Sequence, residues 1–172
     1  MRNLKSLMVL AALAVPMTVP GVAGAAVEVT FTNPDKYIDA SSRGEGRRKA
    51  DPAILAKLRQ HLEKQGERYL KPGQTLRVEV LDLDLAGRVE WWHSAAYDIR
   101  FMRDIDSPSM KLRYSLTENG ATLASGEERI LDLGYLMGIN LGRGSQDSLK
   151  YDKAMLTDWF RKRFAKFGAS AS

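Results

Sequence analysis

Apolar and polar positions alternate in some stretches of this chain and recur at helical spacing in others. Val27, Val29 and Phe31 alternate with Glu28 and Thr30, which predicts a half-buried strand ended by Asn33-Pro34-Asp35. Ile54, Leu55, Leu58, Leu62 and Tyr69 recur at helical spacing behind Asp51-Pro52, so an amphipathic helix is expected from Asp51 to Leu70, stopped by Lys71-Pro72-Gly73. The longest β-type run is Thr75 to Gly87, TLRVEVLDLDLAG. Leu76, Val78 and Val80 share one face of it. Continued parity would put Asp82 and Asp84 on that apolar face and Leu81, Leu83 and Leu85 on the other. Either a bulge near Leu81 swaps the faces, or two carboxylates enter a buried layer and need partners.

Tyr97, Ile99 and Phe101 alternate with Asp98, Arg100 and Met102, and Met110, Leu112, Tyr114 and Leu116 alternate with Lys111, Arg113, Ser115 and Thr117. Asn119-Gly120 is a two-residue hairpin signal, and the return strand runs from Ala121 to about Leu131, with Gly126 a candidate bulge. A three-strand meander from Tyr97 to Leu131 therefore follows the Thr75 strand antiparallel. Met155, Leu156, Trp159, Phe160 and Phe164 lie along one side of a last helix, Ser148 to Phe167. The expected fold class is α+β: an antiparallel sheet of four to five strands with both helices packed on one face.

The beginning of the chain reads differently. Arg2 and Lys5 precede the apolar run Leu7 to Val15, and Ala23-Gly24-Ala25 fits a signal-peptidase site. The run falls short of the roughly 20 apolar residues a spanning helix needs. Residues 1–25 are expected to be a cleaved signal peptide and residues 26–172 a single α+β domain of a periplasmic protein. There is no cysteine among the 172 residues, which excludes disulfides, thiolate metal ligands and a thiol nucleophile. Loss of Arg2 and Lys5 with the leader would bring the net charge from +5 to about +3, well short of a nucleic-acid footprint. No nucleic-acid partner is expected.

Candidate chemistry is sparse. The chain has two histidines, His61 and His93, and no Gly-x-Ser-x-Gly elbow. His61, beside Leu62 on the first helix, reads as a boundary residue. Asp82, Asp84 and His93 lack the spacing of a metal site, and no metal or cofactor is expected. The Gly-rich segment from Asp132 to Asp147 lacks the pattern of a phosphate loop, and the polar stretch Ser41 to Lys49 reads as a solvated linker rather than an anion-binding arm. Arg100 is the expected partner of Asp84 or of Asp132. Trp91-Trp92-His93 cannot all face one layer of a strand, so one tryptophan is a candidate contact residue. Arg161, Lys162, Arg163 and Lys166 suit the dipole of the last helix and offer weak contact with an anionic membrane surface.

The segments VTFTNPDKYIDA, DLDLAG, YDIRFMRDIDSP, LRYSLTENGATLASGEERILDLGYL and LKYDKAMLTDWFRKRF, in this order, resemble an exported bacterial family, the domain of unknown function family 3016. The resemblance covers essentially the whole chain after the leader and implies no activity. It implies that Asp82, Asp84, Gly87, Asp98, Arg100, Asp132, Tyr135 and Trp159 belong to the family's pattern. A proline-rich break in that pattern is reduced here to Ser107-Pro108. The arrangement is also similar to small α+β modules of envelope lipoproteins, an analogy of fold that carries little weight for function. The leading expectation is a non-enzymatic binding or envelope-interaction module. Its polar framework would be Asp82, Asp84, Asp98, Arg100 and Asp132, and its contact surface Trp91, Trp92, His93 and Tyr135. The alternative is a small hydrolase or metal-dependent enzyme centred on Asp82 and Asp84.

Overall fold

The structure is a computed structural model that describes residues 24–41, 49–90, 99–137 and 145–168. Residues 1–23 of the leader, the polar stretch 42–48, Trp91, Trp92, His93, Tyr97, Asp98 and the glycines of 138–144 lie outside the described residues.

Strand β1 (Ala26–Phe31) is followed by a 3-10 turn at Pro34–Lys36 and then by helix α1 (Pro52–Tyr69). The Asp51 side chain accepts the Ala53 N–H at 2.8 Å, and Pro52 fills a position whose amide needs no partner, so the helix starts where the sequence predicts. The chain returns as β2 (Gln74–Asp84), makes the short strands β3 (Arg88–Val89) and β4 (Arg100–Phe101), and continues as β5 (Ser109–Glu118), β6 (Ala121–Leu131) and α2 (Lys150–Phe164). Asn119 and Gly120 both take positive φ, 50° and 82°, which closes the β5–β6 hairpin.

The main sheet has the order β1-β2-β5-β6, and β3 pairs with β4 in a separate two-stranded sheet. The class is α+β. Three details differ from the sequence reading. β1 runs parallel to β2, because α1 carries the chain back over the sheet before the second strand begins, so the sheet is mixed. Of the strand expected over Tyr97 to Arg103, the described residues 99–103 pair through Arg100 and Phe101, with Val89 and Arg88, in the small sheet rather than the main one. The expected bulge at Gly126 is absent. Gly126 stands in register with Tyr114, whose ring a Cβ there would meet at 3.2 Å, and the register of this pair shifts instead at Leu116/Thr117.

One face of the sheet carries Val29, Leu76, Val78, Val80, Leu112 and Leu116 into a core shared with both helices. Tyr114 stands edge-on to Trp159 and Phe164, at 5.8 and 5.6 Å between ring centres, which seats α2 on β5 and β6. The opposite face is an ionic lattice. Arg77 pairs with Glu28, Arg113 bridges Glu79 and Glu127, Lys111 also reaches Glu127, and Arg129 pairs with Asp82. Cross-strand pairs of opposite sign favour this register.

Candidate functional site

The register of β2 against β5 skips one residue between Val80 and Asp82, so Leu81 is the extra residue of a β-bulge. The bulge reverses the parity of everything after it. Leu83 and Leu85 turn into the core, at 0% and 1% exposure, and Asp82 and Asp84 turn away from it. Of the two resolutions open at the sequence level, the swap of faces is the one realised, and both carboxylates still find partners. Asp82 accepts the N–H groups of Ile38 and Leu83 and pairs with Arg129 at 2.9 Å. Asp84 receives both terminal nitrogens of Arg88, at 2.6 and 3.2 Å. That fork-on-fork geometry with Asp84 is the main reason the Arg88 guanidinium is held still further above its ordinary range.

Arg100 therefore does not go to Asp84 or Asp132. After the 3-10 turn the chain rejoins the edge of β2, where the Asp39 N–H donates to the Leu83 carbonyl and the Leu85 N–H to the Asp39 carbonyl. This brings the Asp39 carboxylate to Arg100 at 2.8 Å and to Arg88 at 3.3 Å. Arg100 spends its remaining donors on the carbonyls of Gly87 (2.8 Å), Ala86 (3.3 Å) and Ser41 (2.7 Å). It stitches three separate stretches of backbone together at the corner. Asp106 extends the cluster, taking Arg103 at 2.7 Å, and Arg103 also pairs with Glu90, which is itself buried.

Gly87 is required at the apex for two reasons. Its φ is +73°, and a Cβ there would stand 2.4 Å from the Phe101 carbonyl oxygen. Beneath the apex lies Asp152, in the first turn of α2. It is 1% exposed and accepts the Ala86 N–H at 3.0 Å. Burial pushes its carboxyl up to about 6, although the Ala86 N–H and the nearby Arg100 both favour the charged form.

The structure thus brings Asp82, Asp84 and Arg100 to one corner. Asp132 sits elsewhere, accepting the Gly134 N–H at 3.1 Å in a turn after β6. Tyr135, expected at the surface, is fully buried. Its hydroxyl donates to the Arg103 carbonyl at 2.6 Å and its ring meets Tyr151 edge-on. The long amphipathic ring explains the burial, because its polar tip finds a backbone acceptor inside the fold. The basic end of α2 is engaged with neighbours: Arg161 and Lys162 with Asp158, Arg163 with Glu128, and Lys166 over the Phe167 ring. His61 packs between the helices, with Nε2 3.0 Å from the Thr157 hydroxyl, and burial lowers it to about 4.

Asp39, Arg88, Asp106 and Asp152 are members that the sequence reading did not single out. Two of them carry a signal. Arg88 follows Asp84 by four residues across a Gly-marked turn, and Asp152 falls on the apolar stripe of α2 with Met155, Leu156 and Trp159. As chemistry, the corner is a satisfied ionic knot whose carboxylates are held by guanidinium and backbone N–H groups. Among the described residues, no three His, Cys, Asp or Glu side chains gather as metal ligands.

A second feature is a groove of about 1260 Å3 that runs beside α2 and the end of β6. Ile130, Met155 and Trp159 line it, and Leu131, Leu133 and Met137 stand along it at 50%, 72% and 76% exposure. β6 is the outer strand of the sheet.

A family model described as a protein of unknown function (DUF3016) matches residues 25–162. The chain belongs to the DUF3016 family. The match spans both the corner and the groove, so the knot of Asp39, Asp84, Arg88 and Arg100 lies within the DUF3016 region. A search of curated proteins finds no match. Among solved structures, a variant of the PelC dodecamer from Paraburkholderia phytofirmans is similar at 13% identity over 87% of this chain and 92% of that one, with a TM-score of 0.34. Protein XCC0632 from Xanthomonas campestris, of family DUF330, is similar at 12% identity over 88% and 85%, with a TM-score of 0.33. At these scores neither likeness bears on function.

Proposed function

We propose that this DUF3016 protein is an exported, non-enzymatic interaction module of the cell envelope, and that it binds another protein along the groove between β6 and α2. The observation that carries the reading is the row Leu131, Leu133 and Met137, exposed beside a strand whose far edge has no neighbour in the sheet among the described residues. An exposed apolar row next to an open strand edge is the usual physical basis for protein docking, because burial supplies affinity and the edge supplies hydrogen bonds. Asp82 and Asp84, the centre of the enzymatic alternative, spend their oxygens on arginine and backbone N–H groups, which favours the framework role.

Export rests on the leader-like residues 1–25. Contact with an anionic membrane through Arg161, Lys162, Arg163 and Lys166 would have to compete with their ion pairs and is a lesser part of the reading. Native electrophoresis of envelope extracts tests the docking. The wild-type protein should migrate in a complex heavier than the protein alone, and the double variant Leu133→Lys/Met137→Lys should release it. Unchanged migration of the double variant would count against the groove.

A further inference from the structure

The geometry points to a second copy of this chain as the occupant of the groove, docked antiparallel along β6 about a two-fold axis passing beside Glu128. This deepens the docking reading above and rests on it.

The argument is the order of residues along β6. On the open face of the sheet the strand carries Ser125, Glu127, Arg129 and Leu131, and on the helix face Gly126, Glu128 and Ile130. A two-fold axis makes a strand meet its own reverse. Centred on Glu128, that pairing sets Glu127 against Arg129 of the second copy and Arg129 against Glu127 of the second copy. Opposite charges then lie directly across from each other twice, extending the pairs that Glu127 makes with Lys111 and Arg113 and Arg129 makes with Asp82. Shifting the centre by one residue either way sets Glu127 or Arg129 against itself, like charge on like. The sequence therefore favours one register.

The axis itself would bring two Glu128 side chains together. Each arrives with its charge already answered: Arg163 donates Nε to both carboxylate oxygens at 3.1 Å, and the Trp159 indole N–H donates at 3.0 Å. The same register sets Leu131, 50% exposed, opposite Ser125 of the second copy, so apolar surface at the end of the strand is covered. On α2, Asp158, Arg161 and Lys162 line the groove with charges of both signs. β6 contains no proline to block such an addition.

The chain has no cysteine, so a single introduced one reports its own symmetry contact. Residues facing each other across an antiparallel pair have Cα atoms about 4.5–5.5 Å apart, within disulfide range. Under mild oxidation of the purified protein, Glu128→Cys should form an interchain disulfide that doubles the mass. Thr122→Cys, on the same strand but far from the axis, should not. Sedimentation over roughly 1–100 μM should show a monomer–dimer equilibrium for the wild type, with Arg129→Glu weakening it about tenfold and Glu127→Arg/Arg129→Glu together restoring it. Circular dichroism of each variant checks that it is folded. A wild type that stays monomeric, or equal crosslinking at both cysteines, overturns the proposal. If the heavy native complex persists while the purified protein is monomeric, the second copy is wrong and the docking reading survives. If both are lost, the groove is not a docking site.

Discussion

Leu81 decides where two aspartates point. As the extra residue of the bulge it sends Leu83 and Leu85 inward and leaves Asp82 and Asp84 to arginine. Gly87 is as decisive one turn later. Gly87→Ala would force both a left-handed φ on a side-chain residue and a clash with the Phe101 carbonyl, so a loss of about 2–4 kcal/mol in denaturant unfolding is expected. A loss within error of zero would mean that the corner rearranges freely. Asp152 makes a prediction in pH. Its carboxyl lies at about 6 when folded against 3.8 when free, so the folded state binds the proton more tightly. The stabilisation from that proton is complete below the free value and disappears as pH rises through about 6, an effect of about 3 kcal/mol. Asp152→Asn should remove this slope between pH 4 and 6 and raise stability at pH 7. An unchanged slope would assign the titration elsewhere. The conflict between strand parity and the Asp-x-Asp spacing is visible in the sequence. Its resolution is not, because a bulge inserts a residue without any composition that announces it. Asp39 and Arg100 are illegible for another reason: they are 61 residues apart and meet only because the chain rejoins the edge of β2 after its 3-10 turn.

At the scale of elements, the local signals are the reliable ones. The Asp51-Pro52 start of α1, the Asn119-Gly120 turn and the alternation of β5 are all short-range patterns, and each is found where the residues put it. Parallel pairing of β1 with β2 has no such signature, since alternation gives a strand's faces and not the direction of its neighbour. The Tyr97 to Arg103 stretch alternates as well as β5 does, yet among its described residues the pairing is confined to Arg100 and Phe101. Arg100 is drawn into the corner, and the chain then closes a turn with Asp106 behind Gly87. The seat of α2 depends on Trp159, which packs among Tyr114, Phe160 and Phe164 and hydrogen-bonds Glu128. Trp159→Ala should cost about 3–5 kcal/mol in thermal or denaturant unfolding. Arg161→Ala, in an exposed pair with Asp158, should leave stability almost unchanged. Equal losses for the two would show that α2 is not held by its aromatic face.

The whole molecule has three distinct surfaces. α1 and α2 cover one face of the sheet, an ionic lattice covers the other, and the β6 edge with its groove carries the apolar row. The last combines three exposed apolar side chains with an outer strand and a groove, which is why it stands at the centre of the proposed function. The groove escapes sequence reading because Leu131, Leu133 and Met137 look like ordinary core candidates until β6 proves to be the outer strand. The most direct measurement is photo-crosslinking in intact cells from three positions: Leu133 in the groove, Ser115 on the ionic face and Glu63 on α1. The account predicts a discrete protein adduct from Leu133 and none from Ser115 or Glu63. Adducts from Ser115 or Glu63 with none from Leu133 would contradict it.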